Sequence, residues 1–205
     1  MHFPRFSPRH LRCLPFLAGL VLLLPSRGRA EEPAAHAAPG VTAAPAETVR
    51  MIADFRTSLP NTFSSGSWQG KVATTPSGCV VQGNKGADGK GELGENLQPA
   101  LDLSAVKFVE VALGTGPKNE VPAITLAFSD TDGVQYTAVI RVDQIVPGQP
   151  VWFRVRLADF KLNDWKGDKT GKNINWAKIS QWHLQGDWRT EAPCHIMFIA
   201  LRTRQ

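Results

Sequence analysis

The stretch Val151–Gly186, VWFRVRLADFKLNDWKGDKTGKNINWAKISQWHLQG, decides the fold class. It opens on an alternation of Val151, Phe153, Val155 and Leu157 with Trp152, Arg154 and Arg156, and that strand-like run ends in Leu157-Ala-Asp-Phe160. A polar loop carrying Trp165 and Trp176 follows, then a second strand from Ile179 to Gln185. In that second strand Trp182 and Leu184 share one face, and Gln181, His183 and Gln185 share the other. Side chains of a strand alternate with period two, so one face is apolar and the other polar.

The same period runs upstream. Val109, Val111 and Leu113 alternate with Phe108, Glu110 and Ala112; Ile124, Leu126 and Phe128 with Thr125, Ala127 and Ser129; Tyr136, Ala138, Ile140 and Val142 with Gln135, Thr137, Val139 and Arg141. Asp130-Thr-Asp-Gly133 joins two of these strands as a hairpin, and Pro147-Gly-Gln-Pro150 interrupts the chain before the next. Weaker strands fit Met51–Phe55, Ser67–Val72, Gly78–Gln82 and His195–Arg202. Asp102–Val106 fits one short turn. The glycines of Gly89-x-Gly91-x-x-Gly94 neither follow a strand nor open a helix, which dinucleotide binding requires, so Gly83–Gly94 reads as a loop. Eight or nine short strands with little helix predict an all-β antiparallel sandwich or jelly roll.

Residues 1–30 stand outside that fold. A basic start (Arg5, Arg9, Arg12), the apolar run Leu14–Leu24 and Gly28-Arg-Ala30 form a secretory signal with cleavage after Ala30. Residues 31–48 are rich in Ala and Pro without periodicity and read as a tether, leaving 49–205 as a single domain. The mature chain is expected to be secreted, periplasmic or at the cell surface, and no longer bound to a membrane.

Charge follows processing. The whole chain has 23 Lys+Arg and 18 Asp+Glu; residues 1–30 hold five of the bases and no acids, which leaves 18 of each. A net charge near zero argues against nucleic-acid binding. Cys79 and Cys194 remain after cleavage, and an even pair in an oxidising compartment predicts a disulfide between them. Two small buried hydrophobes are the other reading.

Asp102-Leu-Ser before a strand, the Asp-Thr-Asp-Gly hairpin, a Trp-containing strand, Leu157-Ala-Asp-Phe160 and Ile179 opening a late strand together resemble the galactose-binding-like jelly roll. Among its members the chain is most similar to the family-11-like carbohydrate-binding modules, over residues 51–202. The resemblance implies a non-catalytic domain that binds a poly- or oligosaccharide. The same fold also serves protein-interaction and assembly roles. The family often carries a structural calcium; Asp54 matches its first-strand acid, but His195–Leu201 contains no acid to match the last-strand one. No metal and no cofactor are expected.

Candidate ligand contacts follow from residue chemistry. Trp165, Trp176 and Trp188 lie in polar loops, where an indole either stacks on the apolar face of a sugar or packs over a sandwich edge. Gln181, His183 and Gln185 can each donate and accept hydrogen bonds. With Thr125, Thr137 and Arg141 from neighbouring strands they form a polar sheet face, suited to hydroxyl recognition or simply solvated. Trp182 and Trp68 belong to the core. Arg154, Arg156 and Glu110 are expected to pair across strands of the opposite sheet. No Gly-x-Ser-x-Gly and no metal-ligand spacing is present; a small hydrolase is the remaining enzymatic alternative.

Overall fold

A computed structural model describes residues 47–57, 62–69, 72–83, 90–163, 172–187 and 194–205. Residues 1–46, which include the expected signal peptide and nearly all of the expected tether, lie outside these residues. Within them the chain forms twelve strands: β1 (Val49–Asp54), β2 (Thr62–Gly66), β3 (Val72–Thr75), β4 (Gly78–Gly83), β5 (Lys90–Leu101), β6 (Phe108–Thr115), β7 (Ala123–Asp130), β8 (Gln135–Arg141), β9 (Val151–Arg156), β10 (Lys161–Leu162), β11 (Ile179–Asp187) and β12 (Cys194–Arg204). One 3-10 turn spans Leu157–Asp159.

The strands form two antiparallel sheets. One has the order β3-β4-β12-β6-β9, with β1 added beside β12; the other runs β10-β8-β7-β11-β5-β2. This is the jelly-roll sandwich that the alternation predicts, and β11 shares a sheet with β7 and β8 as expected. The count is twelve strands rather than eight or nine.

The inward residues of both sheets meet in one core. Val109, Val111 and Leu113 of β6 face Ile124, Leu126 and Phe128 of β7, with Trp182 and Leu184 of β11, and all are fully buried. Phe55 bridges the sheets, edge-on to Trp182 at 5.5 Å and tilted against Phe198 at 6.0 Å; Phe198 meets Trp68 at 5.6 Å. Such offset and edge-on pairs add to the area these rings bury. At the hairpin, Asp130 Oδ1 accepts from the backbone N–H of Asp132 and Val134, both at 2.9 Å, while Gly133 takes φ 80°.

Several expectations are corrected. Cys79 and Cys194 are free and buried. They lie on neighbouring strands, but Cys79 sits opposite Phe198 and Cys194 opposite Gly83. Four residues of strand are roughly 13 Å, about twice the longest Cα separation a disulfide spans. Ser67 and Trp68 lie in a turn after β2, not in a strand spanning 67–72. The segment read as a loop over 83–94 contains the start of β5, the longest strand of its sheet. Its glycines answer packing, because a Cβ on Gly91 would lie 2.2 Å from Trp68 Cδ1. Glu47 and Thr48, placed in the tether, are tied to the sheet: Glu47 pairs with Arg204 at 2.6 Å, and the Thr48 carbonyl accepts from Gln205 N–H at 3.1 Å.

Candidate functional site

The outer face of the β10-β8-β7-β11-β5-β2 sheet carries the residues that the sequence singles out, in rows fixed by register. Gln181 lies between Asn96 and Ser129, and Ser129 lies opposite Gln135. His183 lies between Gly94 and Ala127, with Phe63 beyond Gly94 and Thr137 beyond Ala127. Gln185 lies between Glu92 and Thr125, with Ser65 beyond Glu92 and Val139 beyond Thr125. Arg141 follows opposite Ala123. Gln181, His183, Gln185, Thr125, Thr137 and Arg141 are thus brought to one face.

The polar groups of these rows are held by one another. Gln181 Nε2 donates to Asn96 Oδ1 at 2.9 Å, and Gln135 Nε2 donates to Ser129 Oγ at 3.1 Å. Gln135 Oε1 accepts in turn from Asn163 Nδ2. Glu92 accepts from Ser65 Oγ at 3.2 Å and from Gln185 Nε2 at 3.3 Å. An amide tied at one end has few rotamers left to lose when a ligand engages the other. Arg141 is exposed and paired with Asp143, whose carboxyl the guanidinium holds below its ordinary pKa.

The middle row carries little side chain beside His183, and Gly94, His183 and Ala127 are all buried. Gly94 has no side chain, Ala127 has one carbon, and Phe63 and Thr137 stand at either side. His183 is corrected here: it points away from the core as the alternation requires, yet it is only 5% exposed. Its strand runs between β5 and β7, and a Cβ at Gly94 would come within 2.6 Å of His183 Cβ and 2.8 Å of Phe63 Cζ. Facing outward at the centre of a six-stranded sheet does not make a side chain exposed. Val139, by contrast, is 69% exposed beside Thr125.

At the hairpin end of this face, Asn96, Gln98, Ser129, Asp130, Thr131 and Gln181 are among the residues lining a polar pocket of about 470 Å³. Asp130 is buried there, its Oδ2 accepting from Asn175 N–H at 2.8 Å, while Ser180 Oγ donates to its carbonyl at 2.8 Å. Pocket and rows form one continuous polar surface through Asn96, Ser129 and Gln181.

The tryptophans divide. Trp176 is not on this face. It packs edge-on against Phe128, Tyr136 and Phe160, with centroids 5.7 to 6.1 Å away, and closes one end of the core. Trp165 and Trp188 lie outside the described residues. Phe63, Ser65, Glu92 and Asn96 also join the face; the sequence pattern does not single them out, since Glu92 falls in the glycine-rich 83–94 stretch and β2 precedes the strand expected over 67–72. Asp54 is occupied by Arg56, whose Nε and Nη2 donate to it at 2.8 and 2.7 Å. Among the described residues no three His, Cys, Asp or Glu side chains are gathered to hold a metal ion.

No protein-family profile and no curated protein matches this sequence. Solved structures do match its fold. The family 11 carbohydrate-binding module of the cellulosomal cellulase Lic26A-Cel5E of Clostridium thermocellum superposes with a TM-score of 0.55 at 15% identity, covering 76% of this chain and 94% of the module. A family 11 module from Clostridium thermocellum in complex with a β-1,3-1,4-mixed-linked tetrasaccharide gives 0.55 at 14%, over 76% and 94%. The agarase AgWH50C gives 0.56 at 14%, over 75% of this chain but 24% of the agarase, so this chain spans about a quarter of that protein. The chain has the jelly-roll fold of these modules.

Proposed function

We propose that the protein is an exported, non-catalytic carbohydrate-binding domain, and that it binds a neutral poly- or oligosaccharide along this face, over the Gln185 row and the polar groups around Gln181. The observation that carries this reading is the lattice of cross-bonded amides, hydroxyls and one carboxylate on either side of the buried Gly94, His183 and Ala127. Sugars present hydroxyls that both donate and accept, together with apolar C–H faces. The Gln181, Gln185, Asn96 and Ser65 groups suit the former, and Phe63 and Val139 suit the latter. Trp165 and Trp188 are the further stacking candidates, and residues 1–30 would direct export.

Glycoside hydrolysis ordinarily uses two carboxyl groups flanking the scissile bond. The three rows supply one, Glu92, and that carboxylate already accepts from Ser65 and Gln185. A role in holding Gln185 fits it better than acid–base work, and it disfavours an anionic ligand on this face.

Calorimetric titration with a β-1,3-1,4-mixed-linked tetrasaccharide and with neutral agarose oligosaccharides tests the proposal. Saturable binding that is insensitive to salt, and weakened tenfold or more by Gln185→Ala, is expected. A glycan array on which no neutral glycan binds would overturn it.

A further inference from the structure

The opposite sheet turns outward a surface built on different chemistry. Along its β1-β12-β6-β9 part, register sets Met51, Arg202, Glu110 and Arg154 in one row, and Val49, Arg204, Phe108 and Arg156 in the next. Glu110 is only 3% exposed and meets three guanidinium groups: Arg202 Nε at 2.7 Å, Arg154 Nε at 2.8 Å and Arg204 Nε at 3.3 Å. The arginines also lie against rings. Arg202 Cζ is 3.7 Å from the centroid of Trp152, and Arg154 Cζ is 5.2 Å from that of Phe108. A guanidinium clamped by a carboxylate and an aromatic face has little freedom left to lose on binding. Its planar fork matches a carboxylate or sulfate group.

Charge on this surface is unbalanced. Arg154, Arg156, Arg202, Arg204 and Lys107 stand against Glu110, Glu47 and Asp159. Among the described residues Lys107 has no ion pair, and Arg154 and Arg202 spend only their Nε on Glu110, leaving their Nη donors. The row ending in Phe108 and Arg156 runs into an apolar pocket of about 550 Å³, where Val106, Leu157 and Trp176 join Lys107, Phe108 and Arg156. On the far side of the cations stands Trp152, 44% exposed.

We propose that this face is a second binding site, for an acidic polysaccharide. Its carboxylate or sulfate-ester groups meet Arg154, Arg156, Arg202 and Lys107, while its sugar rings lie on Trp152, Phe108 and Trp176. Cations interleaved with aromatic faces fit a polymer whose apolar ring faces alternate with anionic substituents. Nucleic acid is a poorer occupant, since residues 31–205 carry no excess of bases. The site goes beyond the neutral-sugar face, sharing neither residues nor ligand chemistry with it.

Affinity electrophoresis and calorimetry with polygalacturonate, dextran sulfate and uncharged dextran test it on the full chain. Binding to at least one acidic polymer but not to dextran is expected, weakening as salt rises; which acidic polymer binds separates carboxylate from sulfate. Arg154→Gln with Arg156→Gln should weaken it tenfold or more. Lys107→Gln with Arg156→Gln should do the same without touching the Glu110 cluster, which covers the case in which the first pair fails to fold. Lys118→Gln, a loss of one positive charge in the β6–β7 loop away from this face, should leave affinity within twofold. Absence of binding to both acidic polymers overturns the proposal, as does equal loss with Lys118→Gln. Poly-L-glutamate binding as tightly as either polysaccharide overturns it in favour of an acidic protein partner.

Discussion

Gly94 lies directly opposite His183, and the space a methyl group would need at Gly94 is already taken: an added Cβ would sit 2.6 Å from His183 Cβ and 2.4 Å from the Trp182 carbonyl oxygen. The β5–β11 pairing therefore has its close approach written into one glycine. Gly94→Ala should cost about 1–3 kcal/mol, as overpacked sites do, and should weaken sugar binding by disturbing the middle row. Urea unfolding reads the first and calorimetry the second. Unchanged values in both would mean that the strands can separate freely here.

Trp182 and His183 are neighbours on opposite faces, and both are buried. Trp182→Ala should cost about 3–5 kcal/mol, typical of a large aromatic deleted from a core. Alternation alone would make His183→Ala nearly silent, but burial predicts about 1–3 kcal/mol. Thermal and urea denaturation of both variants decide it; a silent His183→Ala would contradict the packing around Gly94.

Glu110 should contribute stability that acid removes. Burial by itself would raise its pKa, but hydrogen bonds from Arg202 and Arg154 and the charges of Arg202 and Arg204 outweigh this and hold it below the ordinary 4.5. A depressed folded pKa makes the contribution complete above pH 4.5 and lost as pH falls through the folded value. Glu110→Gln should cost about 2 kcal/mol at pH 7, less than a fully enclosed pair because Arg154 reaches water. The gap from the parent protein should close below pH 4.5, and a gap constant with pH would sink the assignment.

Glu95 should do the opposite. It is buried beside Trp182, whose Nε1 donates to its Oε2 at 3.3 Å; desolvation raises its pKa above 4.5 and that hydrogen bond only partly offsets the rise. A raised folded pKa means that stability falls as pH climbs from 4.5 through the folded value. Glu95→Gln should therefore raise the melting temperature at pH 8 and change it little at pH 4. A variant less stable at pH 8 would show that the charged form is the one the core favours.

The two thiols should be inert until the sheet opens. Burial pushes Cys79 up to about 11 and Cys194 up to about 12, and the thiolate is the reactive form. Alkylation should be negligible at pH 8 in the folded protein and should reach both residues in denaturant without any reductant. Mass spectrometry showing a bridged peptide would refute the register of β4 and β12.

The strands β6 to β9 and β11 were legible because each has one face against the core, so period two survives in the sequence. The sharing of a sheet by β11, β7 and β8 was legible from the fold that the motifs resemble. What the sequence hid depends on partners distant along the chain. Gly91 and Gly94 look like loop residues until Trp68 and His183 are seen against them. The distance between Cys79 and Cys194 depends on the β4–β12 register, which no local signal encodes. His183 lies on the face that alternation gives it, but alternation sets which way a side chain points and not how exposed it is.

One strand, β12, pairs with β1, β4 and β6 along its eleven residues. It is also the last of the twelve to be synthesised. Among the described residues, β1 has no strand neighbour until it arrives, β4 keeps only β3, and β6 keeps only β9, so this sheet cannot zip progressively from the first strand. Its assembly must wait for β12, with the earlier strand edges unpaired and open to wrong partners meanwhile. In a chain cut before Cys194 this sheet should fall into two separate pairs, β3-β4 and β6-β9, rather than persist as a weakened whole.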